Sequence, residues 1–268
     1  MAQRTPKFER PPIVELAVGV QFAPLTEFSS AHVGVFWHEC LGNDWKKATD
    51  APPLADQFEL FGEQKRWRVP GLELRLDPVG TPRVQIANDS GDCLIQIQST
   101  RFLYNWRKRE THYPSFEEVR DQFERHFQAF SAFAARVPLG KLVPNQWELT
   151  YVDSVPQGDL WQSVVDCQDV FPCLRLPAFS SRVLTESVAI EYQLEIAPKR
   201  GRLHIGVGIG RNGGDPTPTI LLQFTARGPI GKDPSDLRNG LEAGHTAALE
   251  AFLAMASDKA KHHWGAGS

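Results

Sequence analysis

The sequence carries none of the signatures that would name a reaction. It has no G-x-S-x-G elbow, no Walker loop and no H-E-x-x-H pair, so serine hydrolysis, P-loop nucleotide chemistry and a zincin site have no anchor in it. Cysteine is sparse: Cys40, Cys93, Cys167 and Cys173 are scattered and none forms a C-x-x-C pair, which argues against a zinc ribbon or a dithiol motif and for reduced, buried thiols. No apolar run approaches the ~20 residues of a membrane helix. The opening residues are polar, with no apolar stretch before a cleavage site, and this predicts a cytoplasmic protein with no membrane partner. Charge of one sign is not in excess either. With 29 Lys+Arg against 32 Asp+Glu the net charge is -3, so any basic surface that meets nucleic acid has to be local.

What is present belongs to a globular chain. Of 268 residues, 41% are hydrophobic and 23% charged, which is enough apolar material for a sizeable core. The most informative stretch runs from Asp89 to Arg109. Leu94, Gln96 and Gln98 alternate with Ile95 and Ile97, as in a strand with two different faces. It then closes on a dense aromatic and cationic block. Arg101, Asn105, Trp106, Arg107 and Arg109 are the candidate binding residues, with Lys108 beside them, because arginine next to tryptophan and an amide is the composition of recognition surfaces. Alternation gives the competing reading, in which Phe102, Tyr104 and Trp106 enter the core and the cations are solvated.

Around this stretch the pattern predicts an α+β protein. Residues 1–10 are a lead-in. Residues 11–140 hold a strand from Ile13 to Phe22, a helix from Phe28 to Trp45, an irregular stretch over 46–65 whose Phe58, Leu60 and Phe61 tuck onto the core, and four short strands (67–69, 72–76, 83–87, 94–106). A long helix with a phenylalanine stripe follows, capped by Ser115 and Glu118. Residues 141–264 repeat the order: a strand from Gln146, a short helix over 159–171, a second meander, and a helix from Pro234 to Lys261 with Asp233 as its cap. Residues 265–268 are a tail. Two related strand–helix–meander–helix halves are similar in topology to a duplicated TATA-binding-protein-like fold, with a helix-grip arrangement as the alternative.

Other motifs dissolve in context. The G-x-G-x-x-G at Gly208 to Gly213 is followed by Pro216 and a strand rather than a helix, so it is not a dinucleotide loop. Gly206, Gly208 and Gly210 instead predict a bare strand face that admits the alanine-rich last helix. The eight histidines show no metal spacing, and a structural or solvated role is the expectation for His32, His38, His112, His126, His204 and His245. No cofactor and no metal are expected.

Several segments resemble a sporadically distributed bacterial family of about this length with no established activity. They are Pro11 to Leu16, Val20 to Leu25, Arg101-Phe102 with Asn105-Trp106-Arg107, Tyr113-Pro114, and Glu148 to Asp153. The resemblance implies an accessory or defence-related gene cluster and supplies no catalytic residue. At Asp153 it implies asparagine. The function expected is a non-enzymatic binding or adaptor protein that holds a protein partner on an open sheet face or edge, with homodimerisation through an edge as a candidate. The alternatives are a nucleic-acid binder, with Arg101, Arg107, Lys108 and Arg109 on phosphates, and a binder of a small apolar ligand.

Overall fold

The computed structural model describes residues 8–62, 82–109, 111–177, 179–180, 182–211 and 217–266. The strands expected at 67–69 and 72–76, and the turns expected at Pro70-Gly71, Pro78 to Gly80 and Gly213-Gly214, lie outside these residues. Strand β1 (Ile13–Phe22) is followed by helix α1 (Ser30–Cys40) and strands β2 (Trp45–Ala51), β3 (Arg83–Asn88), β4 (Cys93–Gln98) and β5 (Arg101–Arg107), then by helix α2 (Phe116–Arg136). The second half runs β6 (Pro144–Pro156), α3 (Cys167–Val170), β7 (Ala189–Glu195), β8 (Arg202–Arg211), β9 (Pro218–Pro229), α4 (Asp236–Met255) and α5 (Asp258–His263).

The described strands form one nine-stranded sheet in the order β2-β3-β4-β5-β1-β6-β9-β8-β7. All neighbouring pairs are antiparallel. The seam is β1 against β6, with Val18 opposite Leu149. Read outward from it, each half presents its first strand, then its last, and then the others in descending order.

The two faces differ because side chains alternate along each strand. Leu16, Val18, Val20 and Phe22 of β1, Phe102 of β5 and Phe224 of β9 are buried on the helix side. Phe102 stacks on Phe130 of α2 with centroids 5.4 Å apart, and Phe224 meets Phe252 of α4 edge-on. Ser115 caps α2 by accepting from the Glu118 amide at 3.1 Å, so the phenylalanine stripe is delivered to the sheet as its spacing predicts. His126 is part of this layer, with its ring 5.6 Å from Tyr104. Burial pulls its pKa down to about 4, aided by the neighbouring Arg125 charge.

Several expectations are corrected, and the single strand expected over 94–106 is two, β4 and β5, that turn back at Ser99-Thr100. Helix α1 stops at Cys40 and Trp45 opens β2 instead. The Trp45 amide donates to Gly42 O at 3.2 Å, and Trp37 Nε1 donates to Trp45 O at 2.6 Å, which folds the chain back. The helix expected over 159–171 is broken into 3-10 turns at Val164–Asp166 and Pro172–Leu174 around α3, because Pro172 cannot continue a helix. The last helix is split: the Ser257 amide is taken by Val170 O at 2.9 Å, and its hydroxyl caps α5 at Ala260 N, 3.1 Å away. Asp233 lies ahead of α4, whose N-cap is Ser235, and its carboxylate accepts from the Ser235 amide at 2.8 Å.

A further correction concerns glycine. Leu203, Ile205 and Val207 of β8 are buried on the helix side, so Gly206, Gly208 and Gly210 face the other way and do not receive α4. The close approach is made by glycines on the helix itself. A Cβ on Gly240 would stand 2.3 Å from Trp147 Nε1, and one on Gly244 would stand 2.8 Å from Trp147 Cζ3. Among the described residues no helix is long and apolar enough to cross a membrane.

Candidate partner-binding face

The side of the sheet away from α2 and α4 is polar. A row of side chains crosses it in strand register: Gln98 of β4 is opposite Arg101 of β5, Arg101 is opposite Gln21 of β1, and Gln21 is opposite Gln146 of β6. Farther along, Arg227 of β9 is paired with Arg202 of β8. These long amide and guanidinium side chains lie at positions that alternation directs away from the hydrophobic layer.

Residues 52–62, which follow β2, run across this row as a strap. A segment with a single isolated bridge, at Leu54, must satisfy most of its backbone some other way, and here sheet side chains do it. Gln98 acts like a peptide group: its Oε1 accepts from Leu54 N at 2.9 Å and its Nε2 donates to Leu54 O at 2.8 Å. Gln21 Oε1 accepts from Gln57 N at 3.1 Å, Arg101 Nη2 donates to Ala55 O at 3.3 Å, and Gln146 Nε2 donates to Gln57 O. Arg202 Nη2 closes the series at Leu60 O, 2.8 Å away.

The strap also sends side chains down. Glu59 Oε2 is 2.6 Å from Arg202 Nη1, and Glu59 Oε1 is 2.7 Å from His204 Nε2 and 3.1 Å from Arg227 Nε. Burial pushes the Glu59 carboxyl up, but His204 and Arg227 outweigh it and hold the pKa down to about 2. Arg227 also donates to Gln57 Oε1, and the Arg202 guanidinium lies 4.9 Å over the Phe61 ring. Gln57, Glu59 and Phe61 therefore face the sheet. Phe58 and Leu60, at the alternate positions, are 57% and 46% exposed. The expectation that they tuck onto the core is overturned, because the sheet face beneath them is polar and the period of two turns them outward.

The predicted site residues separate. Arg101 is 5% exposed, so it is not solvated. It lies under the strap, where Nη2 donates to Gln21 Oε1 at 2.6 Å and Nε stands 3.3 Å from Glu148 Oε1, an ion pair without a hydrogen bond. Asn105 is on the same face beyond the strap. It donates to Glu15 Oε1 at 2.5 Å and accepts from Gln96 Nε2 at 2.8 Å, and Gln96 in turn accepts from Gln85 at 3.0 Å. Trp106 points the opposite way, into the helix-side core against Tyr113, with centroids 5.2 Å apart. Arg107 is half-buried and donates to Gly91 O at 3.2 Å, whereas Lys108 and Arg109 are exposed. The structure thus brings Arg101 and Asn105 to one face and takes Trp106 away from it.

The residues that the sequence reading missed are Glu59, Gln21, Gln98, Gln146, Arg202, His204 and Arg227. For all but Glu59, which lies on the strap, the signal was a polar residue that alternates with apolar ones along a strand. His204 is held by Glu59 Oε1 at 2.7 Å rather than solvated. Among the described residues no group of histidine, cysteine and carboxylate could hold a metal. A cleft of about 350 Å³ lined by Arg10, Lys108, Gln157 and Trp264 lies near the start of β1. Phe22, Phe123 and Phe130 fill the layer between sheet and α2. On the helix side, burial pushes the Asp153 carboxyl up to about 7. No protein-family model matches the chain, and no curated protein is significantly similar to it.

Proposed function

We propose that this is a non-enzymatic binding or adaptor protein that holds a protein partner on the open side of its sheet, with the strap as the contact. The observation that carries this reading is the strap's two-sidedness. Its inward side is anchored through Gln98, Arg101, Gln21, Gln146, Arg202 and Arg227, while Phe58 and Leu60 stand outward. Apolar side chains on an already ordered segment bind with little further loss of entropy, which is what an interface anchor requires.

The arginines of this face favour protein over nucleic acid. Arg101 faces Glu148, and Arg202 and Arg227 share Glu59, so most of their charge is already offset within the fold and fewer counterions would be released on meeting phosphate. We also infer that the two halves are copies of one unit of the TATA-binding-protein-like kind. The mirrored strand order about the β1–β6 seam supports this.

The test places a photo-crosslinking phenylalanine analogue at Phe58 in cells that also express the products of neighbouring genes. A discrete protein adduct from position 58, and none from Val165, which is similarly exposed at 56%, is the expected result. Absence of any adduct at both 58 and 60 would remove the strap as the contact.

A further inference from the structure

We propose that β7 is the seam of a homodimer, in which two copies of the chain join their sheets by antiparallel pairing of this strand with itself. The inference is independent of the strap. Among the described residues β7 pairs only with β8, so its outer edge is open. Ile190, Tyr192 and Leu194 lie opposite Val207, Ile205 and Leu203, all three of which are buried. The apolar helix-side layer therefore continues onto β7. Helix α4 packs on β6, β9 and β8, and Tyr192 and Leu194 remain 39% and 45% exposed.

An open edge of this kind invites another strand, and proteins that avoid pairing blunt such edges with charge. The far edge of the sheet does this. Strand β2 carries Lys46, Lys47 and Asp50, and Lys46 is tied to Asp89 at 2.8 Å. Strand β7 has no lysine or arginine.

The occupant is a second copy because the strand complements itself. With a two-fold axis at Tyr192, the apolar row pairs Ile190 with Leu194 of the other copy and Tyr192 with its own equivalent. The opposite row pairs Glu191 with Gln193 and Ala189 with Glu195. Every glutamate then faces a neutral residue, and the Gln193 amide can donate to Glu191. Antiparallel pairs accept a two-fold axis at any residue, and cross-strand aromatic and aliphatic pairs each contribute roughly 0.2–1 kcal/mol.

Sedimentation at up to about 100 µM tests this, since a seam of one strand pair is small beside the ~1,200–2,000 Å² of a standard interface. The wild-type chain is expected to shift with concentration from 30.0 kDa toward twice that mass. Leu194→Lys should abolish the shift with circular dichroism unchanged, and Thr49→Lys on the β2 edge should leave it intact. Tyr192→Cys should crosslink to itself under mild oxidation that leaves the wild type uncrosslinked, and this arm decides the matter if Leu194→Lys does not fold. A wild-type monomer at every concentration, a dimer that survives Leu194→Lys, or no crosslink from Tyr192→Cys overturns the proposal.

Discussion

Glu59 Oε2 and Arg202 Nη1 stand 2.6 Å apart although 143 residues separate them. Neither side chain is more than 9% exposed. The pair ties the strap of the first half to the outer strands of the second. A buried carboxylate is tolerated only with full compensation, and Arg202, His204 and Arg227 supply it.

Glu59→Gln is therefore expected to destabilise the fold by about 3 kcal/mol at pH 7, since it leaves buried cations without their counter-charge. The pKa held down to about 2 gives the sign of the acid dependence. The contribution is present above the unfolded value of 4.5 and is lost as pH falls from there toward 2. Urea unfolding at pH 7 and pH 3 checks this: the gap between wild type and variant should narrow at the lower pH.

Asp153 and His126 oppose each other between pH 4 and 7. Burial raises Asp153 to about 7 from 3.8, so its contribution is largest below 3.8 and falls away as pH rises to 7. Burial lowers His126 to about 4 from 6.5, so its contribution is present above 6.5 and is lost as pH falls to 4. These two contributions nearly cancel across this range, and buried His245, whose pKa burial also lowers, adds a rise with pH. Asp153→Asn removes one arm, and the variant should then gain stability steadily from pH 4 to 7. At pH 8 it should exceed the wild type by up to about 4 kcal/mol. A variant profile with the same slope as the wild type's would contradict the assignment.

Gly244→Ala and Gly34→Ala should move stability in opposite directions. A Cβ at Gly244 would come within 2.8 Å of the Trp147 ring and 2.9 Å of Ala226 Cβ, whereas one at Gly34 meets nothing within 4 Å. Overpacking costs roughly 1–3 kcal/mol, and this outweighs the ~1 kcal/mol that alanine gains over glycine in a helix. At exposed Gly34 in α1 only the helical gain remains. Thermal melts of the two single variants check the signs.

Asn105 is the hinge of the Glu15–Asn105–Gln96–Gln85 chain. Asn105→Leu leaves an acceptor and a donor without partners and should cost about 1–3 kcal/mol. Asn105→Asp sets two carboxylates face to face, so its deficit should be larger at pH 8 than at pH 4, where one proton can be shared. Equal deficits at both values would mean that the two groups do not meet.

Much of this architecture was legible in the residues themselves. Alternation sent Phe102, Tyr104 and Trp106 to the core and left Arg101 and Asn105 on the other face. The spacing from Phe116 to Phe130 with Ser115 at its start specified α2, because period and capping are local properties of a chain. The end of α1 was not legible, since Trp45 fits a helical stripe as well as a strand. What decided it was a hydrogen bond between two tryptophans that meet only once the chain turns.

The strap lay wholly beyond local reading. The alternation from Gln57 to Phe61 does not tell what it lies against, and Gln57 and Glu59 gain their meaning from Gln146, Arg202, His204 and Arg227, far along the chain. The same holds for the glycines. The sequence placed a bare face on β8, but Trp147 rises from β6, and it is Gly240 and Gly244 of the helix, with Gly201 ahead of β8 and Gly228 in β9, that leave room for it. Sequence alone determined most of the elements and which face of each strand is apolar, because those follow from dihedral preference and periodicity. Tertiary structure decided what lies against the polar face, because side-chain hydrogen bonds and ion pairs depend on distances between segments that local pattern does not encode.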